Sequence, residues 1–553
     1  MSGSGLNLLV FRAGHRRLPG RQLKEQLFKH LESVRPASSS DELLGALLRA
    51  GEMESSVTDA DSAGAQVLPL AKLTDCLADA LLSPQFSSDF SKTIEDAARA
   101  PVPELLDISV PEGFAYYALH PLCYAHVLEK LPPLSEHIVV IGIRTIGVTL
   151  SAVTAAAARQ RGLNVLRMTT RPGGHPYNRE TEFSPDQAIL IQAAASLGAQ
   201  FLIVDEGPGL SGSSFLSVAE ALERMGVARE RITLICGHQP NPEALCTRDA
   251  AQRWSRFRSV GAGGDCPRPD QAELFIGGGE WRKLLFQSHA EWPASWTTME
   301  RLKYLSADRT RLFKFAGLGH YGTTVFERER AVAEAGFGPE PHLESHGFIS
   351  YPWISGRTAR VEDLSHATIE RLASYCAFRA HAFPALDADL ASLGAMAEHN
   401  LSQFGADIHV NLQLQRPVLA DGRMQPHEWI LGEDGSMLKT DSGGHGDDHF
   451  FPGPTDIAWD LAGAIVEWRM KPALALEFLE HYRKASGDDP RARIDDFIRA
   501  YSVFRWAYCK MAANAMQGTP EQERLEAAAE NYRLAIERAT TLMSPTLSFS
   551  LAS

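Results

Sequence analysis

The sequence has few cysteines, no long apolar run and no excess of positive charge. Its 7 cysteines are scattered without a Cys-x-x-Cys pair, which argues against a disulfide framework or a zinc site. Even the apolar stretch 138–156 contains an arginine and polar residues, and the first 22 residues lack the apolar core of a signal peptide. We therefore expect a cytoplasmic protein with reduced thiols and no membrane span.

A formal net charge of −14 argues against a general affinity for nucleic acid, which requires a basic face. A small anionic substrate would need positive charge supplied locally. With 553 residues the chain is too long for one core and predicts two or three domains, without short repeats or long low-complexity tracts. The expected partners are small molecules, and the sequence does not determine the oligomeric state.

The most informative segment is FLIVDEGPGLSGSSF, residues 201–215. An apolar run typical of a strand buried on both faces ends at Asp205 and Glu206. Two adjacent carboxylates can accept hydrogen bonds from the vicinal hydroxyls of a sugar. The next loop can turn N–H groups and hydroxyls onto a phosphate at a helix N-terminus, through Gly209, Ser211, Gly212, Ser213 and Ser214. The alternative is an ordinary strand-turn-helix with a glycine-rich turn.

This run resembles the signature of the type I phosphoribosyltransferases. In that family two acids hold the ribose hydroxyls of phosphoribosyl pyrophosphate, and a small-residue loop holds its 5′-phosphate. The resemblance assigns these roles to Asp205 with Glu206 and to residues 209–214. Glu206 stands where the family often has aspartate, Gly207-Pro208 replaces two aliphatic residues, and serines replace threonines. The resemblance implies transfer of a phosphoribosyl group with release of pyrophosphate.

An upstream segment, residues 137–162, has the same order of buried strand, glycine turn and small-residue helix. Its turn carries Arg144, whose guanidinium can pair with a phosphate, and in the resemblance this turn is the pyrophosphate loop. Residues 166–180 come next, with three arginines and a Pro-Gly-Gly turn. Such a loop is typical of a mobile lid, and equally of a plain surface loop.

The order of elements predicts one doubly wound parallel sheet. Strands alternate with helices, at 137–143, 148–161, 163–168, 185–197, 200–205, 215–226 and 231–236. Ligands bind beyond the carboxyl ends of such strands. We assign residues 105–288 to this α/β phosphoribosyltransferase-like domain and treat residues 1–104 as a hood or extension of it. The main domain boundary is expected around 289–305, where prolines and tryptophans cluster.

The second half opens with an apolar strand, the run GLGHYG (317–322) and a helix. The glycines match the G-x-G-x-x-G pattern of dinucleotide sites, but no second βαβ unit with its acid comes after it. A different interpretation pairs Lys314 on the strand with Glu327 or Glu329 on the helix, as a kinase N-lobe does to align nucleotide phosphates. An exposed strand lysine is the alternative.

Residues 420–468 contain two short strands, EWIL and SMLKTD, joined by a Gly-Glu-Asp-Gly turn. A hairpin would bring Glu428 and Asp441 to one edge, where two carboxylates can hold Mg²⁺ against phosphate oxygens. The segment resembles the catalytic loop and metal-binding acid of aminoglycoside phosphotransferase and choline kinase-like enzymes, over about residues 300–540. That resemblance implies an α+β, two-lobed protein-kinase-like domain at 289–545, which binds ATP and Mg²⁺ with Lys314 and Glu329 at the nucleotide.

The catalytic loop departs from that family. In the register set by Pro426, Arg423 occupies the position of the catalytic aspartate and Glu428 that of the metal-binding asparagine. Arginine cannot act as a general base, and Asp421 could do so only in a rebuilt loop. Arg423 could instead stabilise a transferring phosphoryl group by its charge. Three possibilities stay open: an active kinase with a shifted base, an altered phosphotransferase, or a pseudokinase.

Other polar and aromatic residues nearby are assigned structural roles. The run His-Gly-Asp-Asp-His at 445–449 has the composition of a metal cluster, but it lies in a loop beside the expected Mg²⁺ site. Asp456 and Asp460 are expected to cap the next helix and support the catalytic loop. Core positions are expected for three tryptophans, Trp459, Trp468 and Trp506.

The leading hypothesis is a bifunctional enzyme that binds phosphoribosyl pyrophosphate in its first half and ATP with Mg²⁺ in its second. The rival hypothesis is a regulatory protein that binds sugar phosphates and nucleotides, with a pseudokinase as its second half. A third is a dinucleotide-dependent oxidoreductase built on GLGHYG. The acceptors of both groups and the pathway are not evident from the residues.

Overall fold

The computed structural model describes residues 6–12, 14–35, 38–60, 67–83, 86, 88–264, 266–406 and 409–541. The sheet of the first half contains five strands in the order β4-β3-β7-β8-β9, and all its neighbouring strands are parallel. Its elements are β3 (His137–Ile143), α7 (Ile146–Gln160), β4 (Asn164–Thr170), β5 (Gly173–His175), β6 (Asn178–Glu180), α8 (Pro185–Ser196), β7 (Gln200–Val204), α9 (Ser213–Arg224), β8 (Ile232–Cys236), α10 (Ala250–Trp254) and β9 (Arg258–Gly261).

The strand order reverses at β3, which pairs with β4 on one side and β7 on the other. The loops that leave β3 and β7 therefore open away from each other and leave a crevice at the carboxyl ends of these strands. The alternation of strands and helices predicted this sheet, apart from β9, which was not anticipated. The predicted strand 137–143 coincides with β3.

The N-terminal region covers one face of this sheet. Its helices pack on α7 and share a hydrophobic core with β3, while α8 and α9 belong to the core of the opposite face. An antiparallel pair of β1 with β2 joins the region to the first residues of the α/β domain. The elements are β1 (His15–Pro19), α1 (Gly20–Ser33), α2 (Ser40–Ala60), α3 (Leu68–Leu82), α4 (Phe90–Arg99), β2 (Leu105–Ser109), α5 (Glu112–Ala115) and α6 (Leu122–His126).

The second half begins with a five-stranded antiparallel sheet of order β10-β11-β12-β14-β13. Because β10 belongs to this sheet, the sheet begins before the boundary expected near residue 289, which falls within the connection 276–302 between β10 and β11. The elements are β10 (Leu274–Phe275), α11 (Arg282–Leu285), β11 (Lys303–Leu305), β12 (Arg311–Phe315), α12 (His320–Glu334), β13 (His342–Leu343) and β14 (Phe348–Pro352).

A mainly helical lobe succeeds this sheet in the chain, with Trp459, Trp468 and Trp506 buried in its core. Its β17 and β18 form the hairpin expected between residues 428 and 441. The elements are β15 (Gly356–Thr358), α13 (His366–Ala382), α14 (Ala391–Phe404), β16 (Pro417–Leu419), β17 (Trp429–Gly432), β18 (Met437–Lys439), β19 (Pro454–Asp456), α15 (Ala458–Glu467), α16 (Pro472–Ser486), α17 (Ile494–Ala515) and α18 (Pro520–Thr541).

The two halves pack closely against each other. The first half's core includes apolar side chains from β12, β14 and the loop after β12, among them Phe313, Phe315 and Phe348. In return, the segment 7–12 crosses the helical lobe, where the Asn400 side chain exchanges hydrogen bonds with the backbone of Leu9. Within the described part of the chain, no helix is long and apolar enough to cross a membrane.

Candidate functional sites

The first candidate site lies at the carboxyl end of β7, beside the point where the strand order reverses. The Glu206 N–H donates to the Asp205 carboxylate at 2.9 Å, and the Tyr124 hydroxyl donates to the Asp205 carbonyl at 2.7 Å. The Gly113 N–H donates to the Glu206 carboxylate, and a Cβ at Gly113 would come within 3.0 Å of that group. Glycine at 113 thus permits the close approach of α5 to the acidic pair.

Burial raises the pKa of Asp205 to about 7. Burial and the neighbouring carboxylates of Asp205 and Glu112 raise the pKa of Glu206 to about 8. Among the described residues, no basic side chain lies within ion-pair distance of either carboxylate. Such a pair holds protons at neutral pH, and a divalent cation or a sugar diol can satisfy it.

Two of the three serine hydroxyls in the loop after β7 are bonded within the protein. Ser211 and Ser213 both donate from Oγ to the carbonyl of Pro176, at 2.9 and 2.7 Å. Pro176 lies in the turn between β5 and β6, so the candidate lid at 166–180 consists of the end of β4 and a hairpin at 173–180 whose tip rests on the loop. Gly209 and Gly212 have φ values of 59° and 71°, as glycine readily allows. Ser213 and Ser214 lie in the first turn of α9.

Arg144 lies just after β3 and donates from its backbone N–H to the Thr170 carbonyl at 2.8 Å. Its guanidinium pairs with Asp59 of α2, which also binds Arg171. Thr145, next in the chain, has a φ of 109°, a conformation that a β-branched residue rarely adopts and that concentrates at functional sites. The reasoning from sequence missed Arg171 and Asp59, because nothing in the local pattern of either segment signals their meeting.

The second candidate site lies between the antiparallel sheet and the helical lobe. Lys314 on β12 is buried and pairs with Asp441, which lies just after β18. Glu329 on α12 is also buried, whereas Glu327 is exposed. The Glu329 carboxylate accepts hydrogen bonds from the N–H groups of Ser442 and Gly443 at 3.1 and 2.7 Å. The expected pairing of Lys314 with Glu329 is thus replaced by a Lys314–Asp441 pair, and Glu329 fixes the loop behind Asp441.

Glu428 lies at the start of the hairpin, where its carbonyl accepts a hydrogen bond from the Thr440 N–H at 2.8 Å. This bond pairs Glu428 with Thr440 across the hairpin. Glu428 therefore lies opposite the residue that precedes Asp441. Lys439 Nζ is 3.9 Å from the Glu428 carboxylate. Burial alone would raise the pKa of Glu428, but Lys439, His427 and Arg423 outweigh it and hold that pKa below its usual value. Glu428 is therefore ionised at neutral pH.

Asp421, predicted as a catalytic residue, is held by contacts within the helical lobe. Its side chain is 0% exposed and accepts a hydrogen bond from the Tyr375 hydroxyl, with Lys439 Nζ at 3.5 Å. Asp460 accepts hydrogen bonds from the N–H groups of Asp421 and Gly422, at 2.8 and 2.9 Å. These contacts fix the loop that carries Asp421, and its catalytic role stays a prediction.

A cavity of about 200 Å³ joins the second-site residues. Five of the predicted residues line it, namely Lys314, Glu329, Arg423, Glu428 and Asp441. Among the described residues, no hydrogen bond or ion pair engages the Arg423 guanidinium. Apolar side chains also line the cavity. They come from the antiparallel sheet, from the residues just after β14 and from β17, namely Leu312, Tyr351, Trp353, Ile354 and Ile430. The cavity therefore combines an apolar wall with clustered charges.

The carboxylates of Glu428 and Asp441 are the hard oxygen donors that Mg²⁺ prefers. Within the described chain, however, no group of three or more His, Cys, Asp or Glu side chains could hold a metal ion, and residues 445–449 form no such cluster. Two carboxylates suit a Mg²⁺ ion that takes its other ligands from phosphate oxygens and water. The donor set therefore fits a metal that arrives with a nucleotide.

The cavity also contains residues that the sequence did not predict. Tyr116 comes from the first half, and its hydroxyl donates to the Asp447 carbonyl at 2.5 Å. The Arg301 guanidinium lies 5.3 Å from the centre of the Tyr116 ring and donates to the Ala316 and Gly444 carbonyls. Neither residue has a local sequence signal, because Tyr116 reaches the cavity through packing between the halves and Arg301 through contacts with distant loops of the second half.

The GLGHYG run lies against α2 instead of facing a ligand. Leu318 N–H donates to the Phe114 carbonyl at 2.9 Å, and a Cβ at Gly319 would lie 3.2 Å from Gly45. The N-terminus of α12 is therefore covered by the first half, where a dinucleotide pyrophosphate would have to bind. The oxidoreductase hypothesis is wrong for this physical reason.

No family model matches the chain, and a search of curated proteins found no match. Solved structures similar to it include a choline/ethanolamine kinase family protein from Mesorhizobium loti, with 14% identity, 44% of this chain and 88% of that chain covered and a TM-score of 0.31. A choline kinase from Streptococcus pneumoniae has 13% identity, 42% and 89% coverage and a TM-score of 0.28. A macrolide 2′-phosphotransferase from Brachybacterium faecium has 15% identity, 41% and 88% coverage and a TM-score of 0.29.

Proposed function

We propose that the cavity between the antiparallel sheet and the helical lobe binds ATP with Mg²⁺ and supports phosphotransfer to a small molecule. The observation that carries the proposal is the convergence of Lys314, Arg423, Glu428 and Asp441 on one cavity with an apolar wall. The apolar wall suits an adenine ring, and the two cations suit phosphate oxygens. Glu428 and Asp441 would hold Mg²⁺, which would neutralise charge on the transferring phosphoryl group.

The chain's own residues set limits on this chemistry. Lys314 must release Asp441 when the carboxylate takes a metal, and its ammonium is then available to a phosphate. Arg423 stands where a base is needed and cannot accept a proton. Arg423 therefore cannot take the proton of an acceptor and would instead stabilise the transferring group by charge.

We propose that the first site binds phosphoribosyl pyrophosphate with Mg²⁺ and supports displacement of pyrophosphate from the ribose. Asp205 and Glu206 would accept hydrogen bonds from the ribose hydroxyls, and residues 209–214 would hold the 5′-phosphate after the hairpin tip moves off Ser211 and Ser213. Arg144 would bind the pyrophosphate. The support is that Arg144 follows β3, that the acidic pair and residues 209–214 follow β7, and that these two strands are parallel neighbours.

A second candidate function is nucleotide binding without turnover. The observations that favour it are the arginine in place of the catalytic base and the direct contact of Lys314 with Asp441. In this case the second half would sense a nucleotide and regulate the first.

The test is calorimetry of the full chain with Mg-ATP and with Mg-phosphoribosyl pyrophosphate. ADP and pyrophosphate release are then measured separately in a metabolite extract supplied with both ligands. Binding of both ligands with release of both products supports the bifunctional enzyme. ATP binding without ADP release supports the second candidate function, and absence of binding to either ligand overturns both.

A further inference from the structure

The two-arginine site, formed by Arg144 and Arg171, is occupied by a carboxylate of the protein itself. Arg144 Nε donates to Asp59 Oδ1 at 2.6 Å, and Arg171 Nε donates to Asp59 Oδ2 at 3.0 Å. Arg171 follows the end of β4 and Arg144 lies in the loop after β3. Because these strands are neighbours, the two guanidinium groups contact the same carboxylate. A single carboxylate between two guanidinium groups leaves one positive charge uncompensated.

Asp59 has no evident role in the stability of its own helix. It lies in the last turn of α2, which contains no basic residue. A negative charge there opposes the helix macrodipole. The other acids of this surface have different partners, since Glu54 pairs with Arg167 and Glu52 with Arg49. Asp59, unlike Glu54 and Glu52, pairs with two arginines that could bind a phosphate group of a ligand.

We infer that Asp59 is an internal anion that competes with the pyrophosphate group of the ligand for Arg144 and Arg171. This inference rests on the proposed function of the first site. Pyrophosphate carries more negative charge than a carboxylate and can accept two parallel hydrogen bonds from each guanidinium, so it displaces Asp59 when it binds. Asp59 thereby reduces the affinity of the site, and Arg171 becomes a second ligand-binding arginine.

Competition by Asp59 also makes the two-arginine site discriminate between anions with one charge and anions with several. An anion with one charge gains little by replacing a carboxylate that is already in place, whereas a diphosphate gains contacts to both arginines. The device therefore favours ligands that carry two linked phosphates over inorganic phosphate. Asp59 is only partly exposed in its pair, with 29% of the side chain accessible, so the exchange occurs at the mouth of the site and requires no unfolding.

The experiment measures binding of inorganic pyrophosphate and of Mg-phosphoribosyl pyrophosphate to the full chain by calorimetry. Asp59→Asn is expected to tighten both by about three- to tenfold, the value of one or two partly exposed ion pairs. The matched control is Asp107→Asn. Asp107 lines the same small cavity as Asp59 but pairs with Arg17, so its substitution changes the local charge without freeing either arginine.

Tighter binding in Asp59→Asn than in both the wild type and Asp107→Asn supports the inference. Equal tightening in the two variants would show an effect of net charge alone and would overturn the inference. Unchanged or weaker binding in Asp59→Asn, with an intact circular dichroism spectrum, would also overturn it. If the wild type and Asp59→Asn both fail to bind either ligand, the proposed function of the first site is overturned with it. Arg171→Gln should weaken pyrophosphate binding and remove the gain from Asp59→Asn.

Discussion

At the end of β7 two carboxylates lie together without a basic group of the described chain at ion-pair distance, whereas in the cavity of the second half Glu428 and Asp441 each have a lysine beside them. Asp205 and Glu206 consequently have raised pKa values, and Glu428 has a lowered one. Both sites hold paired acids suited to Mg²⁺, but their protonation in the free protein differs. If each site binds a metal as proposed, the first would release protons and the second would separate a carboxylate from its lysine.

This difference shows that a pair of acids in sequence does not specify its charge state. Asp205 and Glu206 are adjacent and share one desolvated pocket, so neither stabilises the other's charge. Glu428 and Asp441 are thirteen positions apart in the chain, and the hairpin between them brings Lys439 alongside. Four predictions test how far the two sites differ, in order of expected effect.

The largest effect is expected from Lys314→Met. Loss of a buried phosphate-binding charge amounts to about 2–5 kcal/mol, so the affinity for Mg-ATP should fall by about 30-fold or more. Calorimetry with Mg-ATP measures the change. Lys303→Met is the matched control, because Lys303 lines the same cavity but lies beside Glu300. Equal losses in the two variants would contradict a specific role for Lys314, and binding of phosphoribosyl pyrophosphate should be unaffected in both.

The double variant Asp205→Asn with Glu206→Gln is expected to lower the affinity for Mg-phosphoribosyl pyrophosphate by about tenfold or more. Neutral amides cannot neutralise the metal and give weaker hydrogen bonds to the ribose hydroxyls. The same titration with Mg-ATP serves as the internal control and should not change. A fall in both affinities would show that the substitutions damage the fold, and a fall in neither would remove the acidic pair from the site.

The pH dependence of binding should separate the two sites. Glu206, with a pKa of about 8, and Asp205, with a pKa of about 7, lose protons between pH 7 and 9. Mg-phosphoribosyl pyrophosphate should therefore bind about tenfold more tightly at pH 9 than at pH 7. Mg-ATP binding should change less, because Glu428 is already ionised. Calorimetry across this range checks both ligands. A flat profile for phosphoribosyl pyrophosphate in the wild type would contradict the protonated state assigned to the pair.

The smallest effect concerns stability without ligand. The folded-state pKa values of Asp205 and Glu206 lie above their unfolded values of about 4, so the folded protein binds more protons between these limits, and stability falls as pH rises from about 4 to about 7 and 8. The double variant removes this loss. Its unfolding midpoint should exceed that of the wild type at pH 8.5 by about 2 °C or more, with a smaller difference at pH 5. Scanning calorimetry at both pH values measures the difference, and a constant offset would contradict the linkage.

The sequence predicted those parts of the fold that depend on local pattern. Continuous apolar runs located β3 and β7, because strands buried on both faces leave a clear signal. The hairpin of β17 and β18 was evident from its Gly-Glu-Asp-Gly turn between apolar residues. The convergence of Lys314, Glu428 and Asp441 was also expected, and the structure places all three in one cavity.

Contacts between distant segments account for the features that the sequence did not reveal. The pairing of Arg144 and Arg171 with Asp59 joins three elements and has no local pattern. Likewise, Glu329 can face either Lys314 or the loop after Asp441, and only packing selects the loop. The short strand β10, which lies before the expected boundary, was missed because two residues carry no periodicity.

Helix α2 has a consequence for how the protein responds to ligands. Its 21 residues span about 30 Å. At one end the Asp41 carboxylate accepts a hydrogen bond from His346 N–H of the second half, and at the other Asp59 holds the two arginines. A rigid helix fixed at both ends cannot adjust one end alone. If ligand binding at the first site shifts α2 as it releases Asp59, the shift reaches Asp41 and the antiparallel sheet, and the two ligands then bind with reciprocal thermodynamic coupling.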